Sequence, residues 1–278
     1  MPDAMKSESL LEYENPPVIE TVLGVQFDRL PGFKNAHLGS YWKTLDASEW
    51  PVVSDAPPLP LKFEQFNESE SWAKGLQLQI TQDPSSRLMI KSKDQIRMIQ
   101  IQNGRLHFNW LGQTGARYPH YGNVRKGFIS ALESFLEFIA HEKLGEIRPN
   151  QWEVTYLNHI PKGTVWNTPN DWGFFRPLAA VPSVKVMVEG ESFSGGWSFI
   201  IPENRGRLHV QWQHGKGAER EEQEIIVLNL TARGPVSESG NRAQAILEGV
   251  DLGRATIVNS FSMLMTDEAN RYWGLKHA

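Results

Sequence analysis

The dipeptide Asn103-Gly104 constrains the fold of this chain most, because it joins two stretches in which polar and apolar residues alternate. Asn-Gly between such stretches is the strongest short-range signal of a β-hairpin with a two-residue loop. A loop of this length determines which residues face each other across the hairpin. The predicted pairs are Gln102 with Arg105, Ile101 with Leu106, Gln100 with His107, and Ile99 with Phe108.

The two faces of this hairpin differ in polarity, because successive side chains of a strand point to opposite faces. The apolar face consists of Ile99, Ile101, Leu106, Phe108 and Trp110. The polar face consists of Gln100, Gln102, Arg105, His107 and Asn109. Residues 121–143 carry apolar side chains at helical spacing, so we expect the apolar face to pack on a long helix there.

Length and composition indicate a folded protein with a sizeable core: of 278 residues 40% are hydrophobic, and ten are tryptophan. The formal net charge of −4 argues against nucleic acid as a partner. The chain has no cysteine, which excludes disulfides and thiolate metal sites and favours a cytoplasmic protein. It shows no signal peptide and no run of about 20 apolar residues, so we expect no membrane partner. The oligomeric state stays open.

We predict three parts: a flexible N-terminal arm at residues 1–15, a first half at 16–149 and a second half at 150–278, the halves packed as one unit. The first half has predicted strands at 18–27, 61–66, 76–81 and 87–92 besides the hairpin, with a helix at 37–45 and a proline-rich loop at 54–60. The second half has predicted strands at 151–160, 183–191, 196–201, 207–213 and 224–232. Its predicted helices are a short one capped by Thr168, one at 239–249, one capped by Asp251 that runs to Met265, and a last turn capped by Thr266.

A short repeat connects the two halves. The stretch Gly104-Arg-Leu-His-Phe-Asn-Trp110 returns as Gly206-Arg-Leu-His-Val-Gln-Trp212, with five identities in seven residues. Both halves also follow the predicted order of a strand, a short helix, several strands and a long helix. We therefore predict an α+β fold of two similar halves, each a curved antiparallel sheet packed on a long helix in a tandem helix-grip-like layout. The alternative is that the repeat arose by chance in two ordinary strands.

Three stretches resemble a known family. They are residues 99–110, residues 118–138 together with 151–160, and residues 260–274, the last with the motif Thr266-Asp-Glu…Trp273-Gly274. Together with the opening Pro16-Pro17-Val18 they resemble a sporadically distributed prokaryotic family of uncharacterised proteins of similar length. The resemblance covers the chain from Pro16 onward and implies no activity, cofactor or site residue.

Motifs of several catalytic and cofactor-binding classes are absent from the sequence. No glycine-rich phosphate loop with the strand and helix context is present, and no Gly-x-Ser-x-Gly elbow. Histidine pairs at the spacing of metal ligands are absent as well, since His141-Glu142 has no second histidine four residues on. We therefore expect no cofactor and no metal.

The candidate binding residues lie mainly on the polar strand faces. Gln100, His107 and Asn109 share the polar face of the hairpin, and His209 and Gln211 are their counterparts in the repeat. One interpretation is a groove in which these side chains meet a ligand or partner, and the other is an ordinary solvated strand surface. A histidine exposed on a strand would have a pKa near 6.5. Trp166 and Trp172, in a loop-rich stretch, are further candidates as exposed contact residues.

Three hypotheses on function remain open. The first is a non-enzymatic protein that binds a protein partner or a small regulatory ligand. The second is a protein that binds a small hydrophobic ligand in a pocket between sheet and helix. The third is a hydrolase-like enzyme that uses His107 or His209 as a general base, which requires an acidic or hydroxyl partner.

Overall fold

The fold is built around one large antiparallel sheet. The computed structural model describes residues 11–66, 86–112, 117–168, 171–178, 192–216, 223–237 and 240–276. Its strands are β1 (Glu12–Tyr13), β2 (Val18–Phe27), β3 (Val52–Ala56), β4 (Arg87–Lys91), β5 (Arg97–Gln102), β6 (Arg105–Leu111), β7 (Pro149–Pro161), β8 (Ser194–Ile201), β9 (Gly206–Lys216), β10 (Glu224–Pro235) and β11 (Leu275–Lys276). Its α-helices are α1 (Asn35–Thr44), α2 (Tyr121–His141), α3 (Arg242–Leu264) and α4 (Asp267–Tyr272). The protein is thus α+β, as predicted.

The strands β2 and β7 lie at the centre of this sheet. Within the described residues the sheet has nine strands in the order β3-β4-β5-β6-β2-β7-β10-β9-β8, and every pair is antiparallel. The pairing of β2 with β7 joins the strands before residue 149 to those after it. All nine strands therefore share one continuous pair of faces.

The predicted hairpin is confirmed in its register. β5 and β6 pair Gln102 with Arg105 and Gln100 with His107, as the two-residue loop requires. Gly104 has a φ of 101°, a backbone conformation that glycine adopts without steric cost. The side chain of Asn103 accepts a hydrogen bond from the Leu30 backbone N–H at 2.8 Å, which ties the loop to the chain that follows β2.

The two copies of the seven-residue repeat occupy different places in the sheet. β6, which begins with Arg105, lies directly beside β2, whereas β10 separates β9, the strand of Arg207, from β7. The predicted correspondence of these two strands is therefore wrong. Sequence similarity over seven residues reflects a shared alternation, and alternation alone does not specify a strand's neighbours.

Both long helices pack on the apolar face of the sheet. α2 crosses the hairpin so closely that a Cβ atom on Gly127 would collide with the ring of Phe108. α3 crosses β7 in the same way, with Gly249 and Gly253 against the indole of Trp152. The predicted contact between the hairpin and α2 is confirmed.

A charged contact joins α2 to α3. The Asp251 carboxylate accepts two hydrogen bonds from Arg125, at 2.8 and 3.0 Å, and one from the Tyr121 hydroxyl at 2.6 Å. The prediction that Asp251 caps a separate helix is wrong, because α3 is continuous. Asn241 caps α3 instead, and its side chain accepts from two backbone N–H groups of the first turn. Tertiary packing thus extends a helix through a residue that by itself favours a cap.

The N-terminal arm is in part ordered. Residues 1–10 lie outside the described range, but β1 pairs with β11, so the prediction of a flexible arm over all of residues 1–15 is wrong. The Tyr13 hydroxyl donates to Asn270 at 2.7 Å. The predicted cap at Thr266 is confirmed, since its hydroxyl accepts from the Ala269 backbone N–H.

The connection between β3 and β4 departs from the prediction. Residues 52–56 form the edge strand β3, where a loop was predicted from residue 54. Residues 57–66, here called the covering segment, have no regular structure, where a strand was predicted at 61–66. The predicted strands at 76–81 and 183–191 lie outside the described residues.

Candidate functional site

A row of polar side chains crosses the face of the sheet opposite the helices. The cross-strand partners, from β5 to β9, are Gln100, His107, Gly24, Glu153, Arg233 and Arg207. These residues are here called the central row. The pairing of β2 with β7 places the predicted His107 near Glu153, which sequence reasoning missed.

His107 is buried in the central row and contacts a carboxylate. Its Nε2 lies 3.6 Å from Oε1 of Glu153, across Gly24, which has no side chain to separate them. Only 5% of His107 is exposed, and this burial lowers its pKa to about 4. The expectation of a solvated histidine with a pKa near 6.5 is therefore wrong for His107.

Glu153 also contacts the next residue of the row. Its Oε2 lies 3.1 Å from Nε of Arg233. Burial acts to raise the pKa of Glu153, but the positive groups around it, Arg233 and Arg105 among them, outweigh burial and hold that pKa below its ordinary value. The carboxylate is thus ionised at neutral pH, which a buried guanidinium beside it requires.

The covering segment brings a second carboxylate to the same face. Glu64 lies 2.8 Å from Nε2 of His209, 2.5 Å from Nη1 of Arg207 and 3.7 Å from Nη2 of Arg233. Burial acts to raise the pKa of Glu64, but the hydrogen bond from His209 and the nearby arginines lower it overall. The amphipathic appearance of residues 61–66 suggested a strand, so the sequence carried no signal for this role.

Three glutamines hold the covering segment on the sheet. Gln102 both donates to the Leu59 carbonyl and accepts from the Leu59 N–H, each at 2.8 Å. Gln26 does the same with Lys62, at 3.1 and 2.8 Å. Gln151 accepts from the Glu64 N–H at 3.3 Å. These side-chain amides form hydrogen bonds with the backbone of the covering segment, as a neighbouring strand would. The contacts therefore do not involve the side chains of that segment.

The covering segment and the sheet enclose a groove of about 740 Å³. Its walls include four cationic side chains, Lys62, Arg105, Arg207 and Arg233, and two carboxylates, Glu64 and Glu153. The groove lies within the usual size range of ligand pockets, roughly 300–1,000 Å³. These six side chains together carry an excess of positive charge.

The five predicted polar residues divide into two that line the groove and three that lie outside its lining. Gln100 and Asn109 are buried and hydrogen-bonded to each other at 2.9 Å, outside the groove lining. His209 and Gln211 line the groove, and Gln211 is exposed. His107 lies beneath it beside Glu153. The structure therefore brings the five residues to one face, and only His209 and Gln211 can meet a ligand directly.

The tryptophan candidate Trp166 lies inside the fold and not in the groove. Trp166 is 1% exposed, donates to the Ile160 carbonyl at 2.9 Å and packs edge-on against His214. Its prediction as an exposed contact residue is wrong, because its indole N–H finds a backbone acceptor inside the fold. Trp172 begins a 3-10 helix, Trp172–Phe174, and its side chain lies outside what the structure describes.

His209 has hydrogen-bond partners on both ring nitrogens. Its Nδ1 lies 3.0 Å from the Ser198 hydroxyl, and its Nε2 lies 2.8 Å from Glu64. The three residues thus have the order hydroxyl, imidazole and carboxylate, which is also the order of a serine-hydrolase triad.

Comparison of the chain with models of protein families and with curated proteins gives no match. Among the described residues no cluster of three histidine, aspartate or glutamate side chains could hold a metal ion. No helix in the described part of the chain is long and apolar enough to cross a membrane.

Proposed function

We propose that this protein is a non-enzymatic binding protein and that the groove recognises a ligand with an anionic group, either a small regulatory ligand or a partner segment. The observation that carries the proposal is the charge of the groove, in which four cationic side chains face two carboxylates. Guanidinium and ammonium groups bind carboxylates and phosphates through charge-assisted hydrogen bonds.

Two arginines of the groove are held in place by hydrogen bonds within the protein. Arg207 donates to Glu64 and to the Gln65 carbonyl, and Arg105 donates to Gln26 and to the Pro60 carbonyl. Fixed side chains lose little entropy on binding, which supports recognition. Lys62 differs, because its amino group has no hydrogen bond or ion pair with any residue in the described ranges. We infer that Lys62 makes the first contact with the ligand.

The test is a thermal-shift experiment with inorganic phosphate, citrate and adenosine monophosphate, each beside a neutral compound such as glucose or adenosine. An anion that binds should raise the melting temperature, because it binds only the folded protein. We expect this rise to disappear in Lys62→Met and to persist in Lys43→Met, whose exposed lysine lies on α1 away from the groove. Equal rises in both variants would place the anion elsewhere.

A second candidate function, hydrolysis, is favoured by the contacts of His209. With Ser198 on one nitrogen and Glu64 on the other, His209 has the partners that a general base needs. A hydrolase also has to hold its substrate beside the nucleophile, and Ser198 is not among the residues that line the groove. The groove therefore supports binding better. A fluorophosphonate probe tests hydrolysis: labelling that disappears in Ser198→Ala would establish an enzyme.

We also propose that residues 16–149 and 150–278 are two related halves with a helix-grip-like layout. The support is topological: β2 lies beside β6, β7 lies beside β10, and the strands of each half are followed by a long helix. On this proposal β6 corresponds to β10 rather than to β9. The resemblance to the prokaryotic family likewise stays a proposal.

A further inference from the structure

A small cavity of about 50 Å³ lies on the other face of the sheet, between the start of α2, the middle of α3 and the N-terminal arm. Much of its lining is apolar and comes from Leu11, Val18, Leu230, Ile257 and Phe261. The polar groups that line it come from four tyrosines, Arg254, Glu12, His120 and Asn158. This cavity is separated from the groove by the sheet, so what it binds is independent of the proposed function.

Arg254 is a buried cation that has no anionic partner among the described residues. It is 7% exposed, and its Nε is shielded from solvent without a hydrogen-bond partner. The guanidinium carbon lies 5.1 Å from the centre of the Tyr121 ring. Throughout the described ranges Arg254 makes no hydrogen bond and no ion pair. A buried charge in this condition is costly, and proteins normally pair it.

The groups near Arg254 do not neutralise it. Tyr118 and Tyr156 share a hydrogen bond of 3.0 Å, and burial raises the pKa of both hydroxyls, so they stay protonated at neutral pH. Asp251 lies one turn earlier on α3, but its carboxylate is bound by Arg125 and Tyr121.

One carboxylate, that of Glu12, lines the cavity, but it does not form an ion pair with Arg254. It is exposed on the arm and does not come within 4 Å of the guanidinium nitrogens, the distance of an ion pair. Among the described residues, no carboxylate thus lies within ion-pair distance of the positive charge in this cavity.

We propose that this cavity binds a small apolar carboxylate, with its two oxygens on the guanidinium of Arg254 and its carbon chain against Ile257 and Phe261. A planar carboxylate matches the donor fork of arginine, and one cation balances one negative charge. The apolar walls favour a hydrocarbon chain over a second charge. An apolar cavity of about 150 Å³ holds benzene, so the smaller space here limits the enclosed part to little more than the carboxylate group.

Propionate is the probe, and propionamide is its neutral counterpart of the same shape. Binding is measured by chemical-shift titration of the ¹⁵N-labelled protein. We expect saturable binding of propionate, with shifts concentrated in residues that line the cavity, and an affinity at least roughly tenfold above that of propionamide, as charge-assisted hydrogen bonds provide. Equal affinities of the two compounds, or shifts confined to the groove, would overturn the proposal.

Two variants separate a ligand site from a structural arginine. Arg254→Met should lose the preference for propionate and should melt at a higher temperature than the wild type without ligand, because it removes an unpaired buried charge. Arg125→Met, which removes a paired arginine outside the cavity lining, should melt lower and keep that preference. A propionate preference that survives Arg254→Met would overturn the proposal. If Arg254→Met does not fold, the wild-type comparison decides alone.

Discussion

Gly24 and His107 face each other on β2 and β6, and the imidazole occupies the space where a side chain of residue 24 would lie. A Cβ atom on Gly24 would stand 2.8 Å from Nε2 of His107, and closer still to Cδ2. The missing side chain is what allows His107 to approach Glu153 on the strand beyond. Gly24 on β2 thus allows the side chain of His107 on β6 to contact that of Glu153 on β7, although β2 lies between these two strands.

Gly24→Ala should therefore destabilise the protein. The added methyl group would force the His107 ring out of its buried position, and overpacking of this kind costs about 1–3 kcal/mol. Urea unfolding measures the effect. The control is Gly39→Ala in α1, where a Cβ meets nothing within 4 Å and should leave stability unchanged or raise it by about 0.5–1 kcal/mol. Equal midpoints for Gly24→Ala and wild type would show that the ring moves freely.

Stability should depend on the protonation of His107. Its pKa is about 4 in the folded protein and near the ordinary 6.5 in the unfolded chain. Between these values the unfolded chain binds the extra proton, so the free energy of unfolding should fall as pH is lowered from about 6.5 toward 4, by roughly 3 kcal/mol in full.

The measurement is urea unfolding at several pH values between 7 and 4.5, with His107→Gln as the comparison. The variant should show a flatter dependence in this window. Below about pH 4.5 the lowered pKa values of Glu64 and Glu153 also take effect, because stability from a carboxylate with a lowered pKa is lost as pH falls further. Identical slopes for the variant and the wild type would remove His107 as the cause.

The aromatic core under α2 should be sensitive to truncation. Phe128 and Phe135 are both fully buried, and the Phe135 ring lies within 6.2 Å of the rings of Phe27, Phe33 and Tyr41. Phe128→Ala or Phe135→Ala should lower the free energy of unfolding by about 3–5 kcal/mol, because each leaves a cavity.

Met263→Ala serves as the control for these two substitutions. Met263 is 76% exposed on α3, and its truncation should change the free energy of unfolding by less than about 0.5 kcal/mol. If either phenylalanine variant behaved like this control, the packing of α2 on the hairpin would be refuted.

The contact between Arg125 and Asp251 should join α2 and α3 energetically. The pair is bidentate but partly exposed, so a double-mutant cycle with Arg125→Ala and Asp251→Ala should give a coupling of about 0.5–1 kcal/mol. Because the pair is partly screened, the coupling should weaken in 1 M salt. A coupling of zero would mean that packing alone holds the two helices.

The sequence by itself determined the local parts of this protein. Asn103-Gly104 specifies a two-residue loop, and strict alternation then determines which side chains of the hairpin face each other. The apolar spacing around Phe128 likewise predicts α2, because it is a property of one continuous stretch. The capping role of Thr266 is also local. These features depend on residues a few positions apart, so no knowledge of neighbours is needed.

Tertiary structure alone decided what the polar face became. The sequence pointed to His107 and His209 but not to the carboxylates beside them, Glu153 and Glu64. Glu64 lies 145 residues before His209 and meets it only because the covering segment folds back over the sheet. Contacts between distant residues also bury His107 on this face, and on the opposite face they bury Arg254. Alternation of polar and apolar residues predicts only that a strand has a polar face. Whether water, a segment of the chain or a ligand covers that face depends on contacts between distant residues, which no local pattern contains.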